Sequence, residues 1–189
     1  MGTGFFVQHR IVSPFKRGEF VSDRMSYVVL IGHGYIIIVF IVHALSEEKS
    51  DDSKDSFCEE LEQVFDRFPK YLMKILLGEF NAKVEREDIF KPTIGNESLH
   101  QHSNDNGVRI INFATPKIYL LRAHCSRTET FVNTIRPLLL GRFNNQIDHI
   151  LIDRRWFSSI QNVQSFRGAD CDTYHYLVVP KVRERLAVS

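Results

Sequence analysis

The sequence predicts an α/β layered domain built on a mixed or antiparallel sheet. Three observations lead there. Short runs rich in Val and Ile recur along the chain, and β-branched side chains favour strands. One segment instead carries its apolar residues at helical spacing: Phe57, Leu61, Val64, Phe65 and Phe68. The length of 189 residues, 43% of them hydrophobic, suits one domain with its own core. Many short strands with about two helices form layers.

In chain order, residues 5–12 (FFVQHRIV) and 19–30 read as short strands around a polar turn at Ser13-Pro14. Tyr27 to Leu45 (YVVLIGHGYIIIVFIVHAL) approaches the ~20 residues that span a bilayer. His33 and Gly34 interrupt it, and its flanks favour strands, so it reads as a buried hairpin over 26–44 with Gly34 in the turn. Ser46 to Asp55 (SEEKSDDSKD) reads as a solvated loop. A helix is expected from Ser56, which forms a capping box with Glu59, to the stop at Pro69. Its apolar stripe is core rather than a site. Leu72 to Leu77 reads as a buried strand ending at Gly78, and 83–103 as a polar loop. Asn104-Asp105-Asn106 would cap a helix over Gly107 to Ala114. From Lys117 to Asn144 neither period holds. Ile147 to Ile152, Gln161 to Phe166 and Tyr176 to Val182 are the last strands.

Composition narrows function. Twenty-four Lys and Arg against 23 Asp and Glu leave a charge of +1, which excludes a purely electrostatic nucleic-acid or membrane binder but not a local basic groove. The three cysteines are widely spaced without a Cys-x-x-Cys pair, so neither a zinc ribbon nor a disulfide framework is indicated. The start has no secretory pattern, and Phe6 excludes the myristoylation motif. The sequon at Asn96 therefore goes unread, and an intracellular location, nuclear or cytoplasmic, is expected.

Polar residues gather at strand ends in three places: Glu79 with Asn81, Asp148 with His149, and Asp170 to His175. Functional groups of open sheets lie just past buried strands, although strand ends are commonly polar in any case. Other site types fail. The chain has no Gly-x-Ser-x-Gly elbow, P-loop or His-Glu-x-x-His, and its eight histidines are not spaced as metal ligands.

Taken in order, Gly78-Glu79-Phe80-Asn81, Asn145 to Ile152 (NQIDHILI) and Asp172-Thr173-Tyr174-His175 resemble the motifs of the endonuclease/exonuclease/phosphatase superfamily. Those motifs are Gly-Asp-Phe-Asn, an Asp in an apolar strand, and Ser/Thr-Asp-His. The longer stretches VSDRMSYVVL, VHALSEEKSDDSKDSF, FPKYLMKILLGEFNAKV and NGVRIINFAT are similar to the endonuclease domain of RTE-type non-LTR retrotransposons and host genes derived from them. The resemblance covers roughly 1–116 and 145–189. It implies one partial domain over 1–189: a two-sheet, four-layer α/β sandwich with its first strands missing.

The same resemblance implies Mg²⁺-dependent hydrolysis of a DNA phosphodiester. Such chemistry needs carboxylates for a hard cation and an activated water attacking phosphorus in line. By position, Asn81 would orient the phosphate or the water, and Glu79 would take the place of the Asp that positions the nucleophile. His175 would touch a phosphate oxygen, with Asp148 within hydrogen-bond reach setting its tautomer. His43 stands where relatives carry a Tyr near the phosphate.

The departures imply that this chemistry is lost or nearly so, with the Mg²⁺ site weak or absent. The family's first strands, with an Asn and the main metal-binding Glu, precede the segment matched here. Glu79 is one methylene longer than Asp, and Tyr174 stands in place of the metal-linked Asp. Residues 117–144 depart from the family while both flanks keep register, as compensating frame shifts would leave them. An inactive endonuclease-derived domain therefore competes with a domesticated module that binds nucleic acid or protein, and with a translated pseudogene without function. A basic strip at Arg154, Arg155, Trp156 and Arg167 would serve binding, or is an ordinary solvated face.

Overall fold

The computed structural model describes residues 2–8, 14–32, 34–84, 102–115, 119–122, 148–166 and 177–183. Its elements run β1 (Phe15–Ser22), β2 (Met25–Ile31), β3 (Ile36–His43), α1 (Asp51–Asp66), β4 (Met73–Glu79), α2 (Asp105–Ala114), β5 (Tyr119–Arg122), β6 (Asp148–Asp153), a 3₁₀ helix (Arg154–Ser159), β7 (Ile160–Phe166) and β8 (Leu177–Val182). A six-stranded sheet has the order β1-β2-β3-β4-β6-β5, and β7 and β8 form a separate hairpin. The large sheet is mixed: β3 and β4 are parallel and its other pairs antiparallel.

The expected hairpin is present, β2 on β3 in continuous register from Met25↔Val42 to Ile31↔Ile36. Gly34 turns it with φ +97°, and Gly32 donates to the Tyr35 carbonyl. Tyr27 to Leu45 is thus built on two paired strands rather than a helix. Among the described residues no helix is long and apolar enough to cross a membrane.

Alternation divides the sheet's two faces. Met25, Tyr27, Val29, Ile38, Phe40, Val42, Leu76 and Leu151 face the two helices. From α1, Phe57, Leu61, Val64 and Phe65 meet them, so the stripe is core as expected, with Phe68 half-buried beside it. From α2 come Ile110, Ile111, Phe113 and Ala114. On the other face Met73, Ile75, Ile150 and Ile152 pack with Ile160 of β7 and with Trp156.

Four expectations need correction. Residues 5–8 form no strand; Phe5 instead lies over Gly18 and stacks on Phe20 at 5.2 Å. The run 19–30 is broken by a turn at Asp23-Arg24. The helix starts at Asp51 rather than Ser56, so the Ser56–Glu59 box does not cap it. Tertiary ion pairs extend it: buried Lys54 reaches Asp105 at 3.1 Å, and Arg109 reaches Asp51 at 3.4 Å. Asp51 and Asp52 also suit the positive end of the helix dipole. Finally, Tyr119–Arg122 within the aperiodic stretch forms an edge strand on β6.

Candidate functional site

The sheet register assembles one polar row. In β3/β4, His43 stands beside Glu79; in β4/β6, Glu79 stands beside Asp148. Three strands that are far apart in sequence thus end at one level. His43 Nε2 lies 3.7 Å from Glu79 Oε2, with both side chains about one-quarter exposed. Asp148 takes its place by backbone register.

Gly78 lets this row form. Its φ is +146°, and a Cβ there would come within 1.9 Å of the Val42 carbonyl oxygen. Only glycine fits between the strands just before Glu79. Asn81 then takes the left-handed conformation, φ +50°, which Asn tolerates better than most residues. Its Nδ2 donates to the Ala44 carbonyl at 3.0 Å, tying the loop after β4 to the loop after β3.

Two residues that the sequence offered only as caps complete this arrangement. Asn104 caps α2, accepting from Gly107 N at 2.8 Å, and its Oδ1 also accepts from Lys83 N at 2.8 Å. Its Nδ2 donates to the Asn81 carbonyl at 2.9 Å. Buried Asn106 donates to the Leu45 carbonyl at 2.9 Å and, more weakly, to that of Asn81 at 3.4 Å. The start of α2 therefore clamps both loops of the site. The only sequence signal was the density of Asn around the cap.

His149, neighbour of Asp148, is buried and bonds through Nε2 to the Ala82 carbonyl at 2.6 Å. Since that carbonyl only accepts, Nε2 carries the proton, and the ring braces the loop after β4. The Asp148 side chain, Arg154 side chain, Tyr174, His175 and Arg167 lie outside the described residues, and with them the expected Asp148–His175 contact. Of the basic strip, Arg155 is committed to Asp153 and the Lys70 carbonyl, and Trp156 packs on Tyr35 with ring centroids 5.8 Å apart. Both side chains thus have partners within the protein.

The row supplies one described carboxylate beside an imidazole. A hard cation takes about six oxygen ligands. Among the described residues no three His, Cys, Asp or Glu side chains gather at ion-binding separations. A cavity of about 20 Å³ between α1 and α2, touching Leu45, Lys54, Cys58, Asn106 and Arg109, has room for about one water. Burial first, then Asp105 and Glu62, push the Cys58 thiol above its ordinary range, so it is no activated nucleophile.

No family model matches the chain. The chain is 28% identical to craniofacial development protein 2 of Bos taurus over 193 residues, which cover 99% of this chain and 31% of that protein. It is 27% identical to craniofacial development protein 2 of Tragulus javanicus over 192 residues, covering 99% and 32%. The chain spans about a third of the length of these curated relatives. Among solved structures it is similar to the endonuclease domain of TRAS1, a telomere-specific non-LTR retrotransposon, with a TM-score of 0.56 and 13% identity over 87% of this chain and 66% of that one. It is also similar to the 3′-5′ exonuclease NExo of Neisseria meningitidis, with a TM-score of 0.58 and 15% identity over 90% and 72%. The fold is that of the endonuclease/exonuclease/phosphatase type.

Proposed function

We propose that this chain is a retrotransposon-type endonuclease domain that has kept the scaffold for meeting a nucleic-acid strand and hydrolyses phosphodiesters negligibly. The observation that carries the proposal is the row His43, Glu79, Asp148 at the ends of three adjacent strands, with Asn81 just beyond. Strand ends of layered sheets are where ligands dock. Similarity to TRAS1 and NExo supports nucleic acid as that ligand.

Loss of hydrolysis rests on the residues themselves. Glu79 extends one methylene beyond the Asp of the motif, and misplacement of a reacting group by about 1 Å costs roughly 100-fold. Glu79 also faces an imidazole at 3.7 Å. Tyr174 offers no carboxylate at neutral pH where the motif has Asp. Asn81 Nδ2 is engaged by the Ala44 carbonyl, so its role is to hold the loop as well as to face a phosphate.

The test is nicking of supercoiled plasmid in Mg²⁺ or Mn²⁺ buffer. The wild-type chain should give no nicking above buffer, and the Glu79→Asp, Tyr174→Asp double variant at most a trace. Cleavage by the wild-type chain that Asn81→Ala abolishes would overturn the loss of catalysis.

A further inference from the structure

The register Met25↔Val42 places Arg24 opposite His43, and His43 N donates to the Arg24 carbonyl at 2.9 Å. The row therefore extends one step further. From the β1–β2 turn across β3, β4 and β6 it runs Arg24, His43, Glu79, Asp148 by backbone register. We propose that Arg24 is the phosphate-holding residue of this row, so that a nucleic-acid strand is gripped at the Arg24–His43 end and not at the acidic end. This rests on the nucleic-acid reading above.

Several described cations are already engaged, and others without an ion pair, such as Arg67, Lys83 and Arg183, stand outside the row. Arg109 pairs with Asp51, Asp55 and Asp105. Arg155 is held by Asp153. Lys54 lies on Asp105, and Lys74 donates to the carbonyls of Phe65 and Phe68. Arg17 lies over the Tyr27 ring at 5.8 Å. Arg24, half-buried in the β1–β2 turn, makes one long bond, Nη1 to the His43 carbonyl at 3.5 Å, and has no carboxylate within ion-pair distance among the described residues. A guanidinium has five donors in a planar fork that matches phosphate, so most of this one's capacity is unused.

The charge order decides where a phosphodiester settles. The Glu79 carboxylate, about one-quarter exposed in the row, repels an anion. At the other end the Arg24 guanidinium attracts it. Arg24 reaches the His43 backbone, which fixes it near the row while leaving its charge to a ligand.

The experiment measures binding of a fluorescein-labelled, mixed-sequence DNA strand to the full chain by anisotropy, across a salt series. Arg24→Gln is the main variant, because it keeps a donor for the His43 carbonyl and removes only the charge. It should weaken binding about tenfold at low salt, equally for every sequence, and lower the slope of log K against log salt by about 0.7. Arg24→Lys should restore most of the slope. A matched thermal melt separates these effects from misfolding, which would leave the slope of the folded fraction unchanged. Binding by wild-type protein that His43→Ala or Asn81→Ala weakens, but with the slope unchanged in Arg24→Gln, overturns the role of Arg24 and leaves the site. No binding by wild-type protein overturns both.

Discussion

The two faces of the large sheet are covered in different ways. One lies under α1 and α2, where a phenylalanine cluster runs from strand to helix. The ring centroids of Phe40 and Phe65 are 5.2 Å apart, those of Phe40 and Phe68 5.7 Å, and those of Phe65 and Phe113 5.7 Å. Buried Lys74 is satisfied there, its Nζ donating to the Phe65 and Phe68 carbonyls at 2.9 and 2.6 Å where α1 ends. Among the described residues, the opposite face meets Trp156 and Ile160 at one side and Phe5 over Gly18 at the other. There Phe20 remains 64% exposed and Phe6 92%. By alternation, His43 and Glu79 belong to this second face. Among the described residues, two helices cover one face continuously, whereas short separate pieces meet the face that carries the polar row.

Substitutions can break or sharpen that contrast. The largest effect is expected at the seam of the two faces. Gly78→Ala forces a methyl into the Val42 carbonyl and should cost about 3 kcal/mol or more in urea unfolding, with His43 and Glu79 driven apart. An unchanged midpoint would mean that β3 and β4 separate freely at their ends. Next, Leu61→Ala on the helix-covered face should cost about 2–5 kcal/mol, because little surrounds it that can collapse. Phe20→Ser on the open face should stay within about 0.5 kcal/mol. Equal losses for these two would erase the distinction between the faces.

The smallest effect concerns Cys58, partly buried between the helices. Its raised pKa means that the folded chain holds the thiol proton more tightly than the unfolded one. Its contribution to stability is then complete below the ordinary thiol range and is lost as pH rises through the folded value. Alkylation by iodoacetamide should be slow at neutral pH and speed up only above the pH at which a free thiol responds. Reaction at the rate of a free thiol would show that the helices part readily at this point.

Legibility followed the same division. The stripe of Phe57, Leu61, Val64 and Phe65 and the strands β3, β4 and β6 are visible in sequence because a local period reports a buried face. The start of α1 was not, since Lys54 and Asp51 are held by Asp105 and Arg109 of α2, partners that no local pattern contains. The edge strand β5 has no period of its own and is fixed by pairing with β6. Of the site, Glu79, Asn81 and Asp148 stood out as polar residues at the ends of apolar runs. The contact of His43 with Glu79 depends on a parallel register, and the roles of Asn104 and Asn106 on carbonyls distant in sequence, so neither had a local signature.

The parallel pairing of β3 with β4 also sets a sequence of events in time. The β2–β3 hairpin closes a short loop, an event of microseconds. The pairing of β3 with β4 must wait until the whole of α1 has crossed over the sheet, because parallel neighbours need such a connection. His43 and Glu79 meet only at the end of that ladder, and Asn81 is pinned only once α2 has docked on both loops. The Arg24–His43 half of the row therefore rests on contacts local in sequence, while its acidic half rests on long-range pairing across α1.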